Sequence, residues 1–567
     1  MWFRVLLALF AFHTAIGSAA ESGDLVFVNG AVYTVDAARS WASAVVVVGD
    51  RIAYVGDDRK ARTFIGPRTR VVELNHRMLL PGFQDSHVHP SDAPNPATAL
   101  DLHGVIQREQ VFDRIRQYAQ AHLDKPWIVG GGWDEAAFLP TGQPTKEMLD
   151  ALVPDRPAYL TDNSGHEAWA NSRALAAAHI VAETADPPNG RIERNAKGQP
   201  TGALQEQAMD LVSSTVPPPS PEERLVNLSA ALREMSRLGL TALEDAAVTP
   251  EIARAYQTLD RGDRLELRTN LCQLYHSSED DDAQLQRFLA QRTALAGRRL
   301  RASCVKIFLD GAYGSHTVVL LQPYSDEPKF GKGKLFVDRE RLNRLVSRLD
   351  AAGFQVHMHT IGDGAVRAAL DSFANARREN GFRDNRHTLA HLALIDDADV
   401  PRFRTLGVIA NMTPVWSLDD PWEMVFAPRL FGRERFHELY KTRTLLDSGV
   451  ILVWGSDWPV TSVSPLDGLE TATTHRYPGG KDLKGQDDHS WKPEERVNLE
   501  QAIVAYTSAG AYLMHDDLRT GSLAVGNAAD LVVLDRNLFE TRSLEIHNVA
   551  VDMTVIGGKV IFERTPH

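Results

Sequence analysis

The sequence predicts an α/β protein built on a (β/α)8 barrel, with a small β-domain assembled from the two ends of the chain. Two observations carry this expectation. Eight short apolar runs recur between Pro81 and Asp457, many of them followed by helix-like segments, which is the alternation of a parallel sheet or barrel. Runs rich in β-formers and broken by Asn-Gly and Gly-Asp turn signals precede them, and a matching set follows them.

In chain order, the N-terminus comes first. Arg4, the apolar run VLLALFAF from Val5 to Phe12 and small residues ending at Ala20 have the layout of a secretory signal peptide over residues 1–20, cleaved after Ala20. The run is much shorter than the roughly 20 residues of a bilayer span. We therefore expect a periplasmic or secreted protein with no stable membrane insertion after cleavage.

Residues 24–80 contain DLVFVNGAVYTVD, SAVVVVGDRIAYVGDD and RVVELNHRMLLPGF, and residues 515–567 contain GSLAVGNAADLVVLDRN and VAVDMTVIGGKVIFER. Strands from both ends are expected to complete one discontinuous β-domain, with residues 81–514 inserted as the barrel. The barrel strands are read in GFQDSH, LTALEDA, LRTNLCQL, SCVKIFLDG, FQVHMHT, HTLAHL, GVIANM and ILVWGSD. A long stretch at about 91–238, with its own strand-like runs WIVGGGWDE and AYLTDNSGHEAW, is read as an insertion over the barrel mouth.

The hydrophobic share of 43% and charged share of 24% fit a globular protein with a sizeable core. The net charge of −13 is dispersed, and no basic stripe interleaved with aromatics occurs, so nucleic acid is not an expected partner. A small molecule is, and a homodimer is left open. Only Cys272 and Cys304 are present, so the fold does not rest on a disulfide framework. They allow one bridge or two buried free thiols.

In such a barrel the residues closing each strand converge at one face. Taken in order, those ends give His87 and His89, Lys306, His359, His391 and Asp457. Imidazole and carboxylate suit zinc and related divalent ions. Each residue alone has a plainer reading: the two histidines as polar groups near a loop, Lys306 as a lysine paired with Asp310, His391 as a core side chain, Asp457 as a turn cap. Their recurrence at matching points of successive strands favours a metal site. A buried amine loses proton affinity, and once neutral Lys306 could take up carbon dioxide as a carbamate bridging two cations. His357 shares a face with His359, one layer deeper, and is read as a supporting or core residue.

The stretches PGFQDSHVHP, DNSGHEAWANSRAL, VKIFLDGAYGSHT, HMHTIGDGAV, LAHLALID and WGSDWP together resemble amidohydrolase family 3, its YtcJ-like branch, from about Asp24 to the C-terminus. The resemblance implies a distorted (β/α)8 barrel flanked by a β-sandwich, and a hydrolase using one or two divalent ions, zinc foremost. It implies that His87 and His89 bind one metal, that Lys306 is a carboxylated bridge, that His359 and His391 bind a second metal, and that Asp457 is both ligand and proton shuttle. His166, Trp133, His316 and Trp416 are expected at the substrate, His316 standing where similar proteins often carry arginine. Hydrolysis of a C–N bond in an N-substituted amide, formamide or cyclic amide is the expected reaction. An ester, lactone or carbamate is the alternative substrate, and a catalytically silent ligand-binding barrel is the alternative of another class.

Overall fold

In the computed structural model the strands at the two ends of the chain meet face to face. The structure describes residues 22–565 apart from 94, 96–97, 140, 419–423, 425–426, 482–486 and 488, so the expected leader lies outside the described residues. A four-stranded sheet runs in the order Arg51–Gly56, Ala44–Val48, Leu25–Val28, Arg70–Glu73. A six-stranded sheet runs Lys559–Glu563, Val551–Ile556, Leu531–Leu534, Met78–Pro81, Ala31–Tyr33, Trp41–Ala42. Side chains alternate across a strand, so Leu25 and Phe27 join Val45, Val47, Leu79, Leu531, Val533 and Val555 in a core between the sheets, while Val26 and Val28 pack with Ala61 on the other face. This is the flanking β-sandwich. Met78–Pro81 pairs antiparallel with Leu531–Leu534, placing Leu79 opposite Val533, and so ties the two termini together.

The chain then enters an eight-stranded sheet: β1 (Phe83–Val88), β2 (Leu240–Val248), β3 (Arg268–Leu274), β4 (Leu300–Phe308), β5 (Gln355–Thr360), β6 (Thr388–His391), β7 (Ile409–Met412) and β8 (Leu452–Trp454). Every neighbouring pair from β1 round to β8 is parallel. All eight apolar runs read from the sequence are strands of this barrel. Its seam between β8 and β1 is closed by the chain just past β8, through Asp457 N to His87 O at 2.7 Å, His89 N to Trp458 O at 2.9 Å and Ser456 N to the Asp85 carboxylate at 3.0 Å, while Asn411 Nδ2 on β7 reaches Ser86 O at 2.7 Å. The chain after β8 must pass close to β1, and Gly455 permits it. A Cβ there would fall 2.4 Å from His87 Cβ.

Between β1 and β2 stands a six-stranded sheet, ordered Gly190–Arg194, Pro200–Glu206, Glu167–Ala170, Ala158–Asp162, Ile128–Trp133, Leu100–Asp101. The helix Pro221–Arg237 follows it. Its start is fixed by a reciprocal cap between Ser220 and Glu223, with Pro221 at the first helical position, and it packs against β2 and the C-terminal strands.

One expectation is corrected here. Trp133 does not line a pocket: it is fully buried among Ile128, Phe138, Leu149, Leu160 and Trp169, and its indole N–H donates to Leu160 O at 3.0 Å. The sheet register shifts between Gly131 and Trp133, and the indole enters the core of this sheet.

Candidate metal centre at the barrel mouth

The strand ends converge as the barrel requires. Asp457, just beyond β8, lies with Oδ1 3.4 Å from His87 Nε2 and 3.2 Å from His89 Nε2, and with Oδ2 3.9 Å from His391 Nδ1. Lys306 on β4 puts Nζ 3.2 Å from His87 Nε2. The ring of His391 is centred 4.8 Å from His87 and 4.5 Å from His359. The six residues expected as ligands thus form one cluster.

The donor atoms of His87, His89 and Asp457 all lie within 4.8 Å of one another. Tetrahedral zinc with nitrogen and oxygen ligands needs donors about 3.3 Å apart, so this trio fits a cation with only small side-chain adjustments. Four of the imidazoles are in the charge state that fits, while at His89 burial opposes protonation but the hydrogen bond and charge of Asp457 outweigh it and raise the pKa. Burial, reinforced by the Lys306 charge, holds the imidazoles of His87 and His357 well below their ordinary pKa; burial, reinforced by His166 and by His359 respectively, does the same for His359 and His391. A neutral imidazole is the form that ligates metal.

Lys306 is fully buried, and burial pulls its amine down to about 7 against the opposing pull of Asp457 and Glu244. The plainer alternative, Lys306 paired with Asp310, is not found. Asp310 instead accepts from the backbone N–H groups of Val319, Ile361 and Gly362 and lies 3.1 Å from His359 Nδ1, leaving His359 Nε2 for the centre.

The backbone contributes too. His391 and Asp457 adopt φ of +75° and +56°, a left-handed conformation costing about 1–2 kcal/mol in a residue with a Cβ. Such strain is tolerated where the surrounding packing fixes a side chain's aim.

Around the cluster, His166 from the insertion has its ring 5.1 Å from His359. Burial opposes its protonation, but the charge and hydrogen bond of Glu206, whose carboxylate lies 3.0 Å from Nδ1, outweigh this and raise its pKa to about 9. Glu206 in turn accepts from the Thr317 hydroxyl at 2.6 Å. Trp416 stacks on His391 and is only partly buried. His316 is turned to Asp326, 2.9 Å away, and stacks on Phe330; its contacts are with that loop and not with the histidine cluster.

Beneath the centre, His357 Nε2 lies 2.9 Å from His87 Nδ1, and His357 Nδ1 lies 2.8 Å from Glu244. Sequence reasoning set His357 one layer down but missed Glu244 and Glu206, and it missed the role of Asp310 beside His359. Glu244 and its neighbour Asp245 lie in mid-strand within LTALEDA, and carboxylates inside a largely apolar strand are the signal that marks them.

An eight-stranded parallel barrel with nitrogen and oxygen donors gathered at the C-terminal ends of its strands defines the class: a barrel protein built to hold metal at its mouth. The model of the amidohydrolase family matches residues 70–562, and the chain belongs to that family. It is 30% identical to the YtcJ protein of Bacillus subtilis (strain 168), across 95% of this chain and 99% of that one. It is 29% identical to an N-substituted formamide deformylase of Arthrobacter pascens, across 96% and 99% of the two. Among solved structures, a metal-dependent hydrolase from Pyrococcus horikoshii superposes with a TM-score of 0.71 at 23% identity, covering 92% of this chain and 99% of the other.

Proposed function

We propose that this centre holds one or two divalent cations, zinc by its donor set, and hydrolyses the C–N bond of a small or medium N-substituted amide, formamide or cyclic amide. The observation that carries this reading is the convergence of His87, His89, His359, His391 and Asp457 around an amine, Lys306, whose pKa is lowered to about 7. The deformylase relative supports the choice of bond. When bound, such a metal acidifies water and polarises a carbonyl.

The chain's own residues supply the rest. The Asp457 carboxylate, bracketed by His89 and His391, is placed to accept the proton of the attacking water and return it to the departing amine nitrogen. The imidazolium of His166 is placed to hydrogen-bond a substrate oxygen, and Trp416 to form a flat wall beside His391. The partly neutral Lys306 amine is chemically suited to add carbon dioxide, forming an N–C bond with loss of a proton. Export belongs to this proposal; its support is the leader-like N-terminus together with a disulfide, a bond that persists in oxidising compartments.

Purified protein is tested for metal content and for release of formate and amine from N-substituted formamides, before and after chelation. Chelator-sensitive turnover on the formamide but not on the matching ester or lactone is the expected outcome. Full metal occupancy with no turnover on any of these bonds would leave a ligand-binding barrel. N-terminal sequencing of protein from intact cells checks export, which requires a chain starting at Glu21.

A further inference from the structure

A second cluster of metal-ligating groups lies in the barrel interior, one layer below the mouth. Cys272 on β3 and Cys304 on β4 sit opposite each other in the strand register and are joined as a disulfide. Cys272 Sγ is 3.9 Å from His357 Nδ1, Cys304 Sγ is 4.0 Å from a Glu244 oxygen, and that oxygen is 2.8 Å from His357 Nδ1. The other Glu244 oxygen is anchored by Asn270 Nδ2 at 2.7 Å. All four residues are fully buried, and their four donor atoms lie within 4.8 Å of one another.

We infer that, once the disulfide is reduced, Cys272, Cys304, His357 and Glu244 form a separate four-ligand site for a thiophilic divalent cation such as Zn2+ or Cd2+. Two thiolates, an imidazole and a carboxylate are a closed donor set of the kind that holds structural zinc. Tetrahedral geometry at ordinary bond lengths puts sulfur about 3.5 Å from nitrogen or oxygen ligands and about 3.8 Å from a second sulfur. The sulfur-to-nitrogen and sulfur-to-oxygen separations are within about half an ångström of that already, and breaking the S–S bond frees the sulfurs to part by side-chain rotation. While the disulfide stands, neither sulfur is a thiolate and the site is closed to metal.

The chemistry balances with a phosphine as reductant. The S–S bond breaks, the phosphine gives up two electrons and leaves as its oxide with oxygen from water, and two thiols form. The cation then makes two S–metal bonds, one bond to Glu244 and one to His357 Nδ1, displacing the two thiol protons and the imidazole proton that faces Glu244.

The two metal sites are linked through one pair of rings. His87 Nδ1 and His357 Nε2 lie 2.9 Å apart, so the two clusters share one hydrogen bond. The lower site itself does not depend on the hydrolytic reading.

The full chain is purified with a water-soluble phosphine present from lysis onward, and in parallel without it, and free thiols are counted after denaturation. Both preparations, and a phosphine-treated Cys272→Ser/Cys304→Ser double variant, are equilibrated with Cd2+. The expected result is two free thiols, one extra cadmium per chain and a cadmium–thiolate charge-transfer band in the ultraviolet, in the reduced wild type only. Equal cadmium and no band in a chain with two free thiols would overturn the inference. So would cysteines that stay paired in phosphine.

Discussion

Trp416 lies flat against His391, with ring centroids 5.0 Å apart and planes 12° from parallel. The indole therefore braces a candidate ligand, and in the function proposed above it also walls the substrate. An aromatic contact of this kind is worth about 0.5–1.5 kcal/mol, so Trp416→Ala is expected to raise KM about three- to tenfold. Steady-state kinetics alongside metal analysis separate the two roles. A Trp416→Ala enzyme with unchanged KM but lost metal would assign the indole to bracing alone.

Asp457→Asn keeps the shape of the side chain and removes its basicity. Turnover is expected to fall by about 10²–10⁴, the usual contribution of a positioned acid–base group, with binding of a non-hydrolysable analogue retained. Full turnover with full metal content would remove Asp457 from proton transfer.

Asp310 touches no candidate substrate space but fixes the ring of His359 at 3.1 Å. Loss of such a partner typically weakens a metal site 10- to 100-fold. Asp310→Asn is expected to lower affinity for the metal by that factor in chelator competition. Conversely, an unchanged metal affinity would show that the ring is held by packing.

The His166–Glu206 pair gives a pH signature. His166 rises from its ordinary 6.5 to about 9, so its contribution to stability is complete below 6.5 and is lost as pH rises through about 9. For Glu206, burial alone would raise the pKa, but the His166 charge and hydrogen bond win and hold it below its ordinary 4.5. Its contribution is present above 4.5 and is lost as pH falls through the folded value. The pair is at full strength between 4.5 and 6.5. Histidine NMR of metal-free Glu206→Gln should show His166 titrating well below its wild-type value. If its titration does not move, Glu206 is not the cause.

Arg268 on β3 meets Asp530 of the sandwich through two hydrogen bonds of 2.6 and 3.2 Å, with both side chains largely buried. Removing one member leaves a buried charge unpaired, at a cost of about 3–5 kcal/mol. Asp530→Ala should lower the midpoint of urea unfolding accordingly, while the double variant Arg268→Met/Asp530→Ala recovers part of the loss.

The barrel and the candidate ligands were legible in the sequence because both rest on local pattern. Strands buried on both faces read as short apolar runs, and the residues ending them share one face of the barrel whatever the loops between do. Trp133 was misread because its orientation depends on a register shift in the insertion sheet, which no local pattern reveals. Lys306 is the only partner the sequence suggests for Asp310, and only as the plainer alternative, whereas the turn after β5 offers it the amides of Ile361 and Gly362. Glu206 went unread because its partner His166 lies 40 residues away in the bend before the strand Glu167–Ala170, and such a pairing is set by tertiary packing.

Met78–Pro81, which leads directly into the strand that carries His87 and ends beside His89, takes Leu531–Leu534 as its sheet partner. The strand bearing His87 is therefore not fully anchored until residues near the C-terminus have joined the sheet. A chain truncated before Leu531 should hold a barrel with an unanchored first strand, so assembly of the metal centre waits on the C-terminal segment.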